Sequence, residues 1–200
     1  EHVLSGKKIE WALGPPDSAE LAAKMEAARA RIQGLFSGGT LCAEAQVFFR
    51  RAGLPVVSNV PIPGVGKASG VAGDGSHVLL DLGEDEYTVG RPHPMIDPTL
   101  RNRLVAEALN DQKTGVVLLD IVIGYGANAN PAEELISHLP PANSRNALLI
   151  TAICGTESDP QSYSRQLRQL NDAGIVVAPS NAHAAELAIS VVKSMGKARA

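Results

Sequence analysis

Two hundred residues suit one domain, or a domain with an extension. Hydrophobic side chains make up 44% of the chain and charged ones 20%, an ordinary globular balance with enough apolar surface for a sizeable core. The formal charge of -3 gives no basic field for nucleic acid or an anionic membrane, and aromatics at 4% weaken any base-stacking role. No apolar run reaches the ~18 residues of a membrane span, and no secretory signal pattern is present. Cys42 and Cys154 lie far apart and beside apolar residues, so they read as buried structural thiols in a reducing cytoplasm. The chain opens at Glu1 without a methionine, so it is expected to be processed or cut from something longer.

Residues 1–14 show no clean periodicity. Pro15-Pro16-Asp17-Ser18 predicts a helix start, and alanine-rich 19–31 its continuation, so 1–31 reads as an extension or linker. Residues 32–195 form the expected main domain. Ile32–Phe36 predicts a short strand, Ser37-Gly38-Gly39-Thr40 a turn, and the following residues a helix to about Ala52. Leu54–Val57 suits another short extended piece. Residues 58–76, rich in Gly, Pro and Ser, predict a long surface loop. His77–Leu82 predicts a buried strand. Residues 84–101 follow, and Pro92, Pro94 and Pro98 stiffen this stretch into a rigid polar loop. Residues 99–110 have helical spacing. Gly115–Ile123 is nearly continuous and β-branched, as expected of a central parallel strand covered on both faces. Asn130-Pro131 predicts a helix start, Ala147–Ile153 a strand, and Asp159-Pro160 a second capped start for a helix running to Asp172. Ile175–Ala178 and 181–195 complete the set, and 196–200 read as a tail. Five alternations of strand and helix predict an α/β fold, a three-layer flavodoxin-like parallel sheet of about five strands.

In such a sheet the carboxyl ends of all strands share one edge, where α/β proteins place their chemistry. Ser37–Thr40, the proline loop, Gly124–Asn128 and Gly155–Glu157 gather there, and three of these four carry glycine before a helix start. Glycine admits close backbone approach, and a helix N-terminus adds unpaired N–H groups, so phosphate or carboxylate is the natural guest. Glycine after a strand can equally do no more than turn the chain. The candidate anion-binding residues are Gly38, Gly39, Thr40, Gly124, Tyr125, Gly126, Ala127, Asn128, Gly155, Thr156 and Glu157. Within the proline loop, His93 suits a general base, a phosphoryl acceptor or a hydrogen-bond donor to a ligand, and also a simple cap on a carbonyl. Arg91 suits a carboxylate or phosphate, or a surface ion pair with Glu84, Asp85 or Glu86. These two are the candidate catalytic residues. Asp97, before Pro98, is expected to cap the next helix. The remaining histidines have no metal-ligand spacing, so no metal site is expected. Walker and G-x-G-x-x-G patterns are absent.

GRPHPMIDPTLRN, LFSGGTLCAEA, IVIGYGANANPA and CGTESDPQ closely resemble the carboxyl-terminal domain of FdrA-type proteins, over residues 32 to about 192. Those proteins are in turn similar to succinyl-CoA synthetase and other nucleoside-diphosphate-forming acyl-CoA synthetases, and this chain resembles their CoA-ligase domain. The resemblance implies that Gly124–Asn128 faces a phosphorylated group. It gives no support to His93 as a phosphohistidine, because that residue belongs to a G-H-A-G-type loop that has no counterpart here. It implies a ligand that is phosphate, acyl phosphate or carbamoyl phosphate, with a small carboxylate as co-substrate. CoA and ATP or ADP are expected only through partner domains or subunits, since neither a CoA-binding Rossmann domain nor an ATP-grasp domain is present. The implied reactions are CoA ligation, or carbamoyl transfer between phosphate and oxamate in allantoin degradation. The expected setting is a cytoplasmic oligomer of synthetase-like parts, with no nucleic acid or membrane. The competing expectation is a non-catalytic assembly or regulatory domain that keeps the fold.

Overall fold

A computed structural model describes residues 14–26, 28–68 and 76–197. In chain order the elements are α1 (Ser18–Ala23), β1 (Arg31–Phe36), α2 (Gly39–Arg51), β2 (Val56–Ser58), β3 (Gly66–Lys67), β4 (His77–Asp81), α3 (Asp85–Thr88) and α4 (Thr99–Asn110). There follow β5 (Thr114–Val122), α5 (Pro131–Ser137), a 3₁₀ turn at Ala142–Ser144, β6 (Leu148–Cys154), α6 (Tyr163–Asp172), β7 (Val176–Ala178) and α7 (Asn181–Lys197). The strands form one parallel sheet in the order β3-β2-β4-β1-β5-β6-β7. The flavodoxin-like α/β architecture is therefore present, with seven strands where about five were expected. The additional strand pairing is at the β2–β3 end, where pieces of two or three residues carry no readable period.

Two cores flank the sheet. Phe36, Leu79, Val116 and Leu118 point to one face and pack under α1, α2 and α7. Leu35, Leu80, Val117 and Leu119 point to the other and pack under α4, α5 and α6. Alternate residues of β5 thus enter opposite cores, which is why its sequence is a continuous apolar run. The connection from β1 passes through α2 to β2 on one side, and that from β4 through α4 to β5 on the other. Strand order reverses around β1, and a crevice at the carboxyl edge follows from that reversal.

Several sequence expectations change. The first helix stops at Ala23 instead of running to residue 31, and it lies against α7, with Ala22 buried. Residues 58–76 are not wholly a surface loop. Gln46, fully buried, donates to Ser58 Oγ and the Val60 carbonyl and accepts from Ile62 N, and this pins the chain that leads into β3. Positions 69–75 of that stretch lie outside the described residues, as do 1–13 and 198–200. The rigid loop contains the short helix α3. The chain after β6 enters α6 at Tyr163 and not at Asp159-Pro160. Ser162, at φ 57°, is the N-cap, and Asp159 closes a turn on Thr156 N and Oγ1. Cys42 is buried, and burial pushes its thiol up to about 12; Cys154, at the end of β6, is exposed, contrary to expectation.

At the opposite edge, a methyl group on Gly115 would come within 1.9 Å of the Arg29 carbonyl oxygen, so only glycine admits that close crossing. Nearby His77 is buried in β4. Its Nδ1 accepts from Ile32 N at 3.0 Å, and its ring meets Phe49 edge-on, with centroids 5.6 Å apart. Burial, then the Arg31 charge, pushes the imidazole down to about 4. A histidine depressed in the folded state binds its proton more readily unfolded, so stability falls as pH drops from the ordinary value near 6.5 to about 4. Against a His77→Gln variant, the native chain is expected to lose about 3 kcal/mol across that window. Urea denaturation of both proteins at a series of pH values measures the difference, and parallel pH profiles would refute it.

Candidate functional site at the carboxyl edge

The register sets Phe36 beside Asp81, and Asp120 one residue beyond the Leu35–Leu119 pairing. Two aspartates therefore stand on one rung of β4 and β5, on either side of β1, and point to the α2 face. Asp120 is fully buried. Its Oδ1 accepts from Ser37 N at 2.7 Å and its Oδ2 from Gly38 N at 2.9 Å. Arg101, from α4, reaches over the sheet end. Its Nη1 donates to Ser37 Oγ and the Asp120 carbonyl, each at 2.8 Å, and lies 3.8 Å from Asp120 Oδ1. Burial pushes the Asp120 carboxyl up, against the pull of Arg101 and the two N–H groups.

Asp81 closes the other side. A methyl on Gly39 would lie 2.5 Å from Asp81 Oδ2, so this glycine lets the first turn of α2 pass over the carboxylate. Gly83 N donates to Asp81 Oδ1 at 2.9 Å, and Asn59 pairs with both the N–H and the carbonyl of Asp81 at 2.8 Å. Burial, with the Asp120 charge adding to it, pushes the Asp81 carboxyl up, while the Gly83 bond and nearby His93 oppose this. A methyl on Gly83 would lie 2.6 Å from His93 Nε2 and 3.1 Å from Asp81 Oδ1, so the imidazole and the carboxylate share one spot. His93 Nδ1 accepts from Met95 N at 3.2 Å, which leaves the proton of a neutral ring on Nε2, facing Asp81.

The four predicted loops do meet at this edge. Asn128 N donates to the Met95 carbonyl at 2.8 Å and joins the 124–128 turn to the proline loop. Gln161 accepts from Gly124 N and donates to the carbonyls of Gly124 and Asn128, which joins that turn to the Gly155 loop. Tyr125, Gly126 and Ala127 lie at the crest, with Tyr125 91% exposed. Only Gly38-Gly39 opens directly into a helix, and Thr40 stands in its first turn. The expectation of three glycine-led helix starts is corrected, because α5 begins at Pro131 and α6 at Tyr163.

Glu157 has a different place from the one expected. Its carboxylate accepts from Ser164 N at 2.7 Å and from the hydroxyls of Ser162 and Ser164. It occupies the start of α6 itself, and these bonds hold the carboxyl below its ordinary range. An external anion at Thr156 and Glu157 would meet that charge. Arg91 and His93 are two residues apart but face different ways: Arg91 borders a cleft against α4, and His93 turns toward Asp81. The N-cap of α4 is Pro98 and not Asp97 as expected; the Asp97 carboxylate sits one residue earlier and accepts from Thr99 N at 3.0 Å and Thr99 Oγ1 at 2.6 Å.

Sequence reasoning did not single out Asp81, Asp120 or Arg101. A signal was present: the motif Leu-Leu-Asp recurs near the carboxyl ends of β4 and β5, at Leu79-Leu80-Asp81 and Leu118-Leu119-Asp120. A carboxylate inside an apolar strand needs partners, and that requirement marks it for attention. Among the described residues no three His, Cys, Asp or Glu side chains stand close enough to hold a metal, and no helix is long and apolar enough to cross a membrane.

A family model described as CoA-ligase matches residues 35–191. The chain is 33% identical over 197 residues to "Uncharacterized protein YahF" of Escherichia coli (strain K12), a match that takes in 93% of this chain and 38% of that protein's length. Among solved structures, that of PH0766 from Pyrococcus horikoshii OT3 is 13% identical, with a TM-score of 0.47, over 90% of this chain and 40% of that one.

Proposed function

Because this chain belongs to the CoA-ligase family, we propose that it is the ligase or transferase module of a larger synthetase-like assembly, meeting phosphate, acyl phosphate or carbamoyl phosphate at the carboxyl edge of its sheet. The observation that supports this most is the first turn of α2. Ser37 and Gly38 N–H groups are held by Asp120, while those of Gly39 and Thr40 have no partner among the described residues and lie at the same carboxyl edge of the sheet as the 124–128 turn. Two unpaired N–H groups at the start of a 13-residue helix attract an anion. Asp81 sets the limit, since its ionised carboxylate repels the same anion. The raised Asp81 carboxyl eases that repulsion, and anion affinity is expected to fall as pH rises through its titration.

Titration of the ¹⁵N-labelled chain with inorganic phosphate and with carbamoyl phosphate tests this. The amides of Gly39, Thr40 and Gly126 are expected to shift at millimolar ligand. Asp81→Asn is expected to tighten binding about tenfold, or ~1.4 kcal/mol. Still amides in both proteins would sink the phosphate reading. In this reading CoA and ATP or ADP enter through partner domains or subunits, consistent with a chain that spans 38% of its relative. The FdrA-type resemblance adds oxamate as a carbamoyl acceptor, and assaying the complete assembly for CoA-dependent against oxamate-dependent phosphate turnover separates the two reactions.

A second reading has its own support. Val89 is 80% exposed, Ile96 53% and Tyr125 91%, and all three stand on the proline loop and the 124–128 turn. A non-catalytic domain that docks a synthetase-like partner through this edge would expose such side chains. Unmoved amides combined with loss of assembly in Tyr125→Ser would favour it.

A further inference from the structure

The proline loop does not lie flat on α4. Between them is a cleft of about 300 Å³, at the small end of ligand-binding pockets. Its apolar wall is Leu82, Pro94 and Leu100, the first two buried. Its polar wall is cationic: Arg91, Arg101 and Arg103 line it, against the single carboxylate of Asp97. Asp97 is already engaged by Thr99 N and Oγ1, and Arg103 pairs on its outer side with Glu107 at 3.6 Å. Arg91 is exposed, and its guanidinium has no partner among the described residues.

Arg101 makes this more than a surface groove. It is 2% exposed, and Nη1 is committed to Ser37 and Asp120, yet its Nε is buried without any hydrogen-bond partner. A buried guanidinium N–H left unpaired costs free energy, so such groups are normally satisfied by protein, water or ligand. This one belongs to a residue that lines a cleft carrying two further arginines.

We infer that this cleft is a second binding site, for a small organic carboxylate with a short apolar body, received by Arg91 at the mouth and Arg101 at the floor. Arginine forks match carboxylates in a planar, two-point geometry. The Leu82–Pro94–Leu100 wall selects ligands that carry hydrocarbon as well as charge. The site does not rest on the phosphate reading above. It lies on the α4 side of the proline loop, and its walls include none of Gly39, Thr40 or Gly126.

The test uses the 200-residue chain, ¹⁵N-labelled, with butanoate and benzoate as probes and butanamide and inorganic phosphate as controls. Both carboxylates are expected to shift the Arg101 Nε–H resonance and the Leu100 amide at millimolar concentration. Arg91→Gln, on an exposed loop residue, is expected to weaken binding about tenfold, as loss of one charge-assisted contact does. Butanamide and phosphate are expected to bind at least tenfold more weakly than butanoate. The inference is overturned if neither carboxylate moves Arg101 Nε–H, if Arg91→Gln leaves the affinity unchanged, or if butanamide or phosphate binds as well. Shifts confined to Gly39, Thr40 and Gly126 would also overturn it while leaving the phosphate reading intact.

Discussion

Arg101→Met is expected to destabilise the fold by about 3–5 kcal/mol, the cost of breaking a buried pair by removing one partner. Methionine keeps most of the side-chain volume, so the loss is electrostatic and not a packing loss. Asp120 remains, fully buried, with only the Ser37 and Gly38 N–H groups to hold its charge, and Ser37 Oγ loses its donor. The sign of the pH dependence identifies the cause. Burial already pushes the Asp120 carboxyl above its ordinary value, and loss of the guanidinium pushes it further. A carboxyl raised by folding takes up its proton more readily in the folded state. Its penalty is therefore full above the raised folded value and fades as pH falls toward the ordinary value near 4. Urea midpoints for the variant should approach those of the native chain in acid and separate at neutral pH. Adding Asp120→Asn should recover part of the loss, because the uncompensated charge goes while the amide nitrogen can no longer accept from one of Ser37 N and Gly38 N. A pH-independent loss, or no recovery in the double variant, would show that Arg101 acts through packing alone.

Phe49→Ala is expected to cost about 3–5 kcal/mol, as large-to-small changes at fully buried aromatic sites do. Phe49 has no exposed surface and sits on the buried stripe of α2 with Cys42 and Ala45. It joins that helix to the sheet through the His77 ring. Backbone segments on both sides are fixed by the sheet and by the Gln46 contacts, so the cavity has little room to collapse. The same substitution admits water to His77, whose imidazole is held at about 4 chiefly by burial. Its titration should move upward toward the ordinary histidine value. Chemical denaturation gives the first quantity and an NMR titration of the His77 ring protons the second. A stability loss without movement of the His77 titration would mean that water does not enter and that Arg31 dominates the depression.

The central strands were legible because each crosses the molecule between two cores, so nearly every residue must be apolar. The edge strand β3 was not, since two exposed residues leave no periodic trace, whereas β2, paired on both sides, overlaps the short extended piece expected at Leu54–Val57. Helix α4 is legible over Thr99–Asn110 because its stripe of Leu104, Val105, Ala108 and Leu109 faces a single core. The start of α6 departs from the sequence expectation for a local reason. Asp159-Pro160 has the form of a cap, yet the Asp159 carboxylate closes a turn on Thr156, and the chain enters the helix three residues later. That shift decides the meaning of Glu157, which fills the helix start itself.

By itself the sequence determined the α/β class, the gathering of four loops at one edge and the resemblance to CoA-ligase domains, because strand-helix alternation and short motifs are local properties of the chain. Only the tertiary structure decided which charges meet. Asp120 finds Arg101 19 residues back in the chain and Ser37 83 residues back, across the end of the sheet. Arg91 and His93, neighbours in a stiff loop, are turned to opposite sides of it. Such pairings arise from the register of β4, β1 and β5 and from the crossover of α4. No window of sequence contains them, and they fix where an anion meets free N–H groups and where it meets a carboxylate already in place.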